Sequence, residues 1–91
     1  MLTVNEEQRL QRNEIRAFLL GQVSALCGLN EIPDDQVPLI ELGMDSVRLL
    51  SLLEALRRQG VALGFIDVME NPSLLELEQL VAERLTRQTH P

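Results

Sequence analysis

Apolar residues near the start of the chain recur at intervals of three and four positions, which is the spacing of one face of an α-helix. Upstream of this repeat, Thr3 and Glu6 match a capping box, and downstream of it Gly28 offers a C-terminal stop. We therefore predict a first helix from about residue 5 to residue 27. Its core-facing positions are Ile15, Phe18, Leu19, Val23 and Leu26.

A second helix is predicted to start at Ser46, with Asp45 as its N-cap. Gly60 closes it after Arg57 and Arg58, whose charges suit a helix C-terminus. The apolar arc of this helix is wider than one core face needs, so some of its side chains should reach the surface. The arc consists of Val47, Leu49, Leu50, Leu52, Leu53 and Leu56.

The last long helix follows Ser73 and Glu76, which form a second capping box of the S-x-x-E type. Its repeat consists of Leu74, Leu77, Leu80, Val81, Arg84 and Leu85. Residues 61–71 are predicted to contain one short helix built on Phe65, Ile66, Val68 and Met69. Val61 and Leu63 alternate like a strand, but the sequence contains no partner strand.

Residues 28–45 form a long connection that contains two Pro, two Gly and no helical period. Loops of this length inside a compact domain are uncommon and usually functional. It contains acidic but no basic residues, and its apolar residues should pin it to the core as an ordered, packed loop. Those residues are Leu29, Ile32, Val37, Leu39, Ile40 and Leu42.

These elements predict an all-α fold, a small bundle of three long helices and one short helix with a long ordered first loop. The chain has 91 residues, which is enough for one domain with a modest core. We expect a single domain over residues 1–91, with a core from about residue 5 to 86 and a frayed tail over 87–91.

Composition narrows the classes of partner. The net charge is −6, and with two Phe, no Tyr and no Trp there is almost nothing for bases to stack on. Nucleic acid and anionic membranes are therefore unfavourable partners, and a basic protein surface is a better match. No signal peptide or membrane-spanning run is recognisable, so we expect a soluble, cytoplasmic protein. We also expect a monomer.

Cys27 is the single cysteine and His90 the single histidine, so an internal disulfide, a metal cluster and a Cys/His or Ser/His pair are not expected. Cys27 is predicted to be a small buried apolar residue. His90 is predicted to lie in the solvated tail. No metal site is predicted.

Ser46 has two interpretations on local physics. It can simply begin the helix, or it can carry a phosphate group, which the backbone N–H groups and the dipole of a helix N-terminus favour. A small hydrolase using Ser46 is disfavoured because the chain has no lysine and only His90, and a carboxylate such as Asp45 is a weak base. Chemistry at Ser46 must therefore be supplied by another protein.

The segment "LIELGMDSVRLL" resembles the phosphopantetheine-bearing carrier proteins. Gly43, Met44, Asp45, Ser46 and Val47 fit the signature of that family, a Gly, a variable residue, an Asp, the modified Ser and an aliphatic residue. The order of helices and the Pro72–Ser73 pair before the last helix are also similar. The resemblance implies that Ser46 carries 4′-phosphopantetheine from coenzyme A, with Asp45 and Gly43 in the attachment motif.

The motif has Arg48 two places after the serine, and in this it resembles the aryl carrier domains of siderophore assembly lines. Peptidyl carriers more often have Leu or Ile after a Gly-Gly-Asp-Ser or Gly-Gly-His-Ser motif. From Ser46 to Gly60 the chain has three Arg and one Glu, a net charge of +2, whereas fatty-acid carriers typically have an acidic second helix. Docking on this helix should therefore depend on apolar contacts.

An aryl carrier is not an enzyme. The resemblance implies that a phosphopantetheinyl transferase modifies the protein using Mg²⁺. It further implies that an aryl-activating adenylation enzyme loads the thiol of the arm with an acid of the dihydroxybenzoate or salicylate type. A condensation domain would then take the thioester onward in nonribosomal siderophore-like biosynthesis. The candidate partner interface comprises Met44, Val47, Arg48, Leu50, Phe65 and Met69.

Several alternatives stay open. Met44, Leu50, Phe65 and Met69 can be core residues instead of docking residues, and Arg48 can be a solvated residue instead of a phosphate contact. The chain can be a peptidyl or acyl carrier of another nonribosomal peptide or polyketide pathway. It can also be a carrier-like helical interaction module without a prosthetic arm.

Overall fold

The computed structural model describes residues 10–89, and the side chains of residues 10–86. This part of the chain folds into three long helices and one short helix, as predicted. Two short 3-10 turns, Arg12–Glu14 and Leu39–Leu42, accompany them. The helices are α1 (Ile15–Cys27), α2 (Ser46–Arg58), α3 (Phe65–Glu70) and α4 (Leu74–Thr89).

The core lies where α1 packs against α2 and α4. Each of these helices has one face of branched apolar side chains, and the side chains at the centre of the core have no exposed surface. Burial of one such side chain stabilises the fold by about 1.5–3 kcal/mol. The fully buried residues are Leu19, Val23, Leu52, Leu56, Val61, Leu77 and Val81.

The predicted start of the first helix is wrong. Gln11 is extended (φ −91°, ψ 150°), and its N–H donates to the Glu14 carboxylate at 3.2 Å, which caps the turn that leads into α1. Leu10 is buried, and its N–H donates to the carbonyl of Gln59 at 3.2 Å. The chain is thus tied to the end of α2 at residue 10 and is not helical there. Thr3, of the predicted capping box, lies outside the described residues.

The other predicted helix ends are confirmed. Gly28 ends α1 in the left-handed conformation (φ 66°) that glycine adopts without strain. Ser73 and Glu76 form the capping box: the Glu76 N–H donates to Ser73 Oγ at 3.2 Å and the Ser73 N–H donates to Glu76 Oε1 at 3.3 Å. These signals act within one helical turn, which is why the sequence revealed them.

The long first loop is ordered and packed, as predicted. Leu39 is buried, and its N–H donates to the Pro72 carbonyl at 2.8 Å. The Asp35 carbonyl accepts from the N–H of Leu75 at 2.9 Å, and the Asp35 carboxylate pairs with Arg16 at 2.6 Å. The loop is therefore attached to both α1 and the start of α4. Within the described residues the only strand-like pairing is one isolated bridge between Pro38 and Ser73.

Two apolar residues of this loop do not face the core, contrary to prediction. Ile40 is 76% exposed because successive side chains of a 3-10 turn point in different directions, and the side chain of Leu39 is the one that points towards the core. Ile32 is 80% exposed and lies in a stretch that is held through Leu29 and Asp35 instead. No helix within residues 10–89 is long and apolar enough to cross a bilayer.

Candidate site at the start of helix α2

Ser46 is the first residue of α2, and its side chain is exposed. The chain reaches it through the 3-10 turn and then through Gly43, whose φ of 105° favours glycine. A Cβ on Gly43 would meet only the Cβ of Cys27, at an ordinary 3.8 Å. Glycine is therefore required at this position by backbone conformation and not by lack of space.

Asp45 caps α2 as predicted. Its Oδ1 atom accepts from the N–H of Arg48 at 2.8 Å, and its Oδ2 atom pairs with the Arg48 guanidinium at 2.8 Å. The same guanidinium nitrogen donates to the carbonyl of Gly43 at 3.1 Å. Arg48 thus folds back over the loop end, and it is neither freely solvated nor buried.

The helix start can stabilise a group on Ser46 but cannot activate its hydroxyl. The first turn of α2 has backbone N–H groups without helical partners, and its dipole favours an anion. No hydrogen bond of the Ser46 side chain is found within the described residues, and both oxygens of the adjacent carboxylate are engaged. The Ser46 hydroxyl is therefore exposed and has no neighbouring base among the described residues.

An open, mainly apolar groove lies beside Ser46, between the start of α2 and α3. Its volume is about 670 Å³, within the range of about 300–1,000 Å³ that is typical of ligand sites. A second, smaller depression continues from Phe65 along α2 to Arg57. The first groove is lined by Leu39, Ile40, Met44, Asp45, Ser46, Leu49, Phe65, Val68, Met69 and Pro72.

Polar contacts at Asp67 fix α3, which forms one wall of this groove. The Asp67 carboxylate accepts from the N–H of Gly64 at 2.9 Å and from Arg84 at 3.0 Å. The hydrogen bond from Gly64, and then the charge of Arg84, lower the pKa of Asp67, while partial burial opposes them. Arg84 also donates to the carbonyl of Ala62 at 3.1 Å, so α4 holds both ends of the turn into α3.

The structure places five of the six predicted interface residues at the surface, and Arg48 is one of them. Val47 and Met69 are highly exposed, at 75% and 72%, and Leu50 and Phe65 are about half exposed. Met44, in contrast, is only 7% exposed and belongs to the core, where it lines the floor of the groove. Its assignment to an exposed interface is corrected accordingly, because the turn at Gly43 directs it inward.

Sequence reasoning missed two exposed apolar residues near the site. Ile66 on α3 is 69% exposed, and Ile40 lines the groove from the loop side. A signal for Ile66 was present, since Val68 is the inward residue of this short helix and Ile66 lies two positions away from it. No equivalent signal existed for Ile40, whose orientation depends on how the loop folds.

Cys27 is half-buried and not fully buried as predicted. Burial is the main cause that raises the pKa of its thiol, Asp45 adds to it and Arg48 opposes it. Burial thus favours the protonated thiol, and the Cβ atom of Cys27 lies next to Gly43. Within the described residues, no three His, Cys, Asp or Glu side chains are grouped as metal ligands would be. His90 lies outside the described residues.

A helical bundle with an exposed serine at the start of its second helix, beside an apolar groove, has the architecture of a carrier domain. Residues 17–81 match the family model described as "Phosphopantetheine attachment site". The chain belongs to this family, whose members carry covalently attached 4′-phosphopantetheine.

Two curated relatives are similar to the chain. It is 37% identical over 59 residues to an isochorismatase of Bacillus subtilis (strain 168), which covers 62% of this chain and 19% of that protein. It is 36% identical over 65 residues to phenyloxazoline synthase MbtB of Mycobacterium sp. (strain MCS), or 70% of this chain and 6% of that protein. The chain thus corresponds to a small part of each. No solved structure matches it at a significant level.

Proposed function

We propose that Ser46 is the attachment point of 4′-phosphopantetheine and that the modified protein carries an aryl acid as a thioester. The observation that supports this most strongly is the position of Ser46, which is exposed at the first position of a 13-residue helix beside an apolar groove. The family match covers this position. We further propose that the chain itself has no catalytic activity, since no base lies against the serine hydroxyl in the part of the chain that the structure describes.

The residues around Ser46 fit such a group. Phosphopantetheine supplies a flexible arm that ends in a thiol, to which an acyl or aryl group is bound as a thioester. The protein contributes the helix N-terminus, which favours a phosphodiester, and Gly43 and Asp45, which set the direction of the serine. A tether of this kind raises the effective concentration of the cargo at each partner enzyme.

Two observations support an aryl cargo. Arg48 follows the serine in the pattern that resembles aryl carriers. One relative is named as a synthase of a phenyl-bearing product, phenyloxazoline, and the other as an isochorismatase. We propose an acid of the dihydroxybenzoate or salicylate type, loaded by an aryl-activating adenylation enzyme and passed to a condensation domain in a nonribosomal, siderophore-like pathway.

The exposed apolar side chains around the groove form the proposed docking surface for these partners. Val47 and Leu50 present it from α2, and Phe65 and Met69 present it from α3. Ile66 extends it beyond the residues that the sequence suggested. Apolar residues that are exposed in a monomer and clustered around a functional residue are typical of interaction sites, and a flexible Met suits several partners in turn.

The attachment site is tested by incubating the protein with coenzyme A, Mg²⁺ and a promiscuous phosphopantetheinyl transferase. We expect the mass to increase by one phosphopantetheine group, and Ser46→Ala to abolish the increase. Ser51→Ala, on the same helix, is the matched control and should be modified like the wild type. An unmodified wild-type protein with a competent transferase contradicts the proposal and favours an interaction module without an arm.

The cargo is tested by offering the modified protein to adenylation enzymes with a panel of aryl acids and amino acids. We expect a thioester with hydroxybenzoates, detected by intact-protein mass spectrometry and released by hydroxylamine. Preferential loading with ordinary amino acids contradicts the aryl assignment and favours a peptidyl carrier. The attachment site at Ser46 remains valid in that case, because the two experiments read different bonds.

A further inference from the structure

The Arg48 side chain connects the residues on both sides of the turn before Ser46. Its Nη1 atom donates to Asp45 Oδ2 at 2.8 Å and to the carbonyl of Gly43 at 3.1 Å. The backbone N–H of the same residue donates to Asp45 Oδ1 at 2.8 Å. One residue thus satisfies both carboxylate oxygens of Asp45 and holds the glycine that sets the turn.

The other arginines of α2 cannot replace this charge. Arg57 lies eleven residues after Ser46, which is roughly 16 Å along a helix, and charges at that distance are largely screened at physiological salt. On the loop side the exposed Glu41 adds a further negative charge. Among the arginines of α2, Arg48 is therefore the one that offsets the carboxylate adjacent to the acceptor serine.

We infer that Arg48 is a positioning residue for the modification of Ser46. It offsets the charge of Asp45 and ties Asp45 to Gly43, so that the anionic diphosphate of coenzyme A meets a fixed helix start and less repulsion from the adjacent carboxylate. This inference rests on the proposed function, in which Ser46 is the acceptor. Arg48 acts through Asp45 and does not bind the phosphate itself, because side chains two positions apart on a helix do not face each other.

The reaction explains why charge at this position matters. In the transfer, a bond forms between Ser46 Oγ and the phosphorus next to pantetheine, and the bond from that phosphorus to the adenosine bisphosphate leaving group breaks. The hydroxyl proton goes to a base of the transferase or to water. An anion thus arrives beside Asp45 and remains there as a phosphodiester. Loss of one neutralising charge close to the acceptor changes such an encounter by roughly three- to tenfold.

The test uses wild type and the variants Arg48→Gln, Arg48→Lys, Asp45→Asn and the double variant Asp45→Asn/Arg48→Gln. Arg57→Gln is the control, since it removes an exposed charge elsewhere on α2. Initial rates of modification by one transferase give kcat and KM for the carrier at salt concentrations from about 0.1 M to about 1 M, over which the Debye length falls from about 10 Å to about 3 Å. Circular dichroism confirms that each variant is helical.

For Arg48→Gln we expect KM to rise by roughly three- to tenfold with kcat changed less than twofold. Arg48→Lys should restore most of the affinity because it keeps the charge. The effect should shrink at high salt, and also in the Asp45→Asn background, where the cap acceptor remains but the carboxylate charge is gone. The amide chemical shifts of residues 43–46 should change in Arg48→Gln and not in Arg57→Gln.

An Arg48→Gln variant that is modified as fast as wild type, or faster, overturns the inference. So does a rate loss that is independent of salt, or one that is equally large in the Asp45→Asn background, because either result indicates a structural defect or a direct transferase contact. These outcomes are distinct from failure of the proposed function, in which the wild-type protein itself gains no phosphopantetheine on Ser46.

Discussion

Asp45 determines where α2 begins, because its side chain takes the place of a backbone partner at the first turn. The N-cap bond to the N–H of Arg48 is 2.8 Å long, and the extended backbone of Asp45 (φ −131°, ψ −177°) prevents the helix from starting earlier. Ser46 consequently has the first helical position and no other. The identity of one residue thus sets the location of the candidate attachment point.

Replacing Asp45 should therefore weaken the fold as well as the site. Loss of an N-cap side chain costs about 0.5–2 kcal/mol, so we expect Asp45→Ala to lower the free energy of unfolding by about 1 kcal/mol. Asp45→Asn, which keeps an acceptor oxygen, should lower it by less. Urea denaturation of the unmodified proteins measures both values. Equal stability of Asp45→Ala and wild type contradicts the capping role.

Asp67 makes stability depend on pH in the acid range. The N–H of Gly64 and the charge of Arg84 lower the pKa of its carboxyl in the folded protein relative to the unfolded chain. The resulting stabilisation is present above the unfolded pKa of about 4 and is lost as the pH falls through the lower folded pKa. Wild type should therefore be more stable than Asp67→Asn at pH 7.

The difference between these two proteins should shrink as the pH falls below about 4, because the wild-type carboxyl then becomes protonated. Thermal unfolding from pH 7 to pH 3 measures it. Glu70→Gln on the same helix is the control, since the exposed Glu70 should give a difference that is smaller at every pH. If the difference in stability between wild type and Asp67→Asn does not change with pH, the charge of Asp67 does not stabilise α3.

At the scale of elements, local signals were readable from the sequence and distant ones were not. The caps at Asp45 and at Ser73–Glu76 are formed by residues three apart, so their pattern is visible in the chain. The end of helical structure before α1 is different, because it depends on a hydrogen bond from Leu10 to Gln59, a residue at the end of α2 and distant in sequence. Periodicity alone cannot show such a contact.

Contacts between residues distant in sequence also determine which residues around the site are exposed. Phe65 and Met69 lie four positions apart, and this spacing places them on the same face of α3. Whether that face is covered depends on how α3 is held against the bundle, and the Asp67–Arg84 contact determines this orientation. The core position of Met44 likewise follows from the turn at Gly43, which brings the residue over the core.

The exposed face of α3 yields a prediction for partner docking. Met69 is 72% exposed, so Met69→Asp should leave helicity and modification of Ser46 nearly unchanged. Under the proposed function, a charge in the apolar docking surface should reduce loading by the adenylation enzyme or transfer to the condensation domain by about tenfold or more. Steady-state rates with the modified carrier measure this.

Glu70→Ala serves as the control for this experiment, since it changes an exposed residue beside Met69 without adding a charge to an apolar surface. Its rates should stay close to those of wild type. If Met69→Asp is loaded and passed on at wild-type rates, the docking surface does not include α3. In that case the apolar groove beside Ser46 has to serve another purpose.

At the scale of the whole molecule, a small apolar core must supply the stability that holds the start of α2 in place. A domain of 91 residues is expected to have a free energy of unfolding of roughly 5–14 kcal/mol. Arg16 links α1 to the loop through Asp35 and to α4 through Glu78, but such exposed ion pairs contribute little. The stability must therefore come from the buried apolar residues.

Leu77 and Ile32 provide a direct test of this division between core and surface. Leu77 is fully buried, so Leu77→Ala should lower the free energy of unfolding by about 2–5 kcal/mol, a large fraction of the total. Ile32 is 80% exposed although its apolar side chain suggested a core position, so Ile32→Ala should change it by less than about 0.5 kcal/mol. Urea denaturation of both variants measures the difference. A cost of 2 kcal/mol or more for Ile32→Ala contradicts the exposed position of Ile32 and favours the core position that the sequence pattern alone suggests.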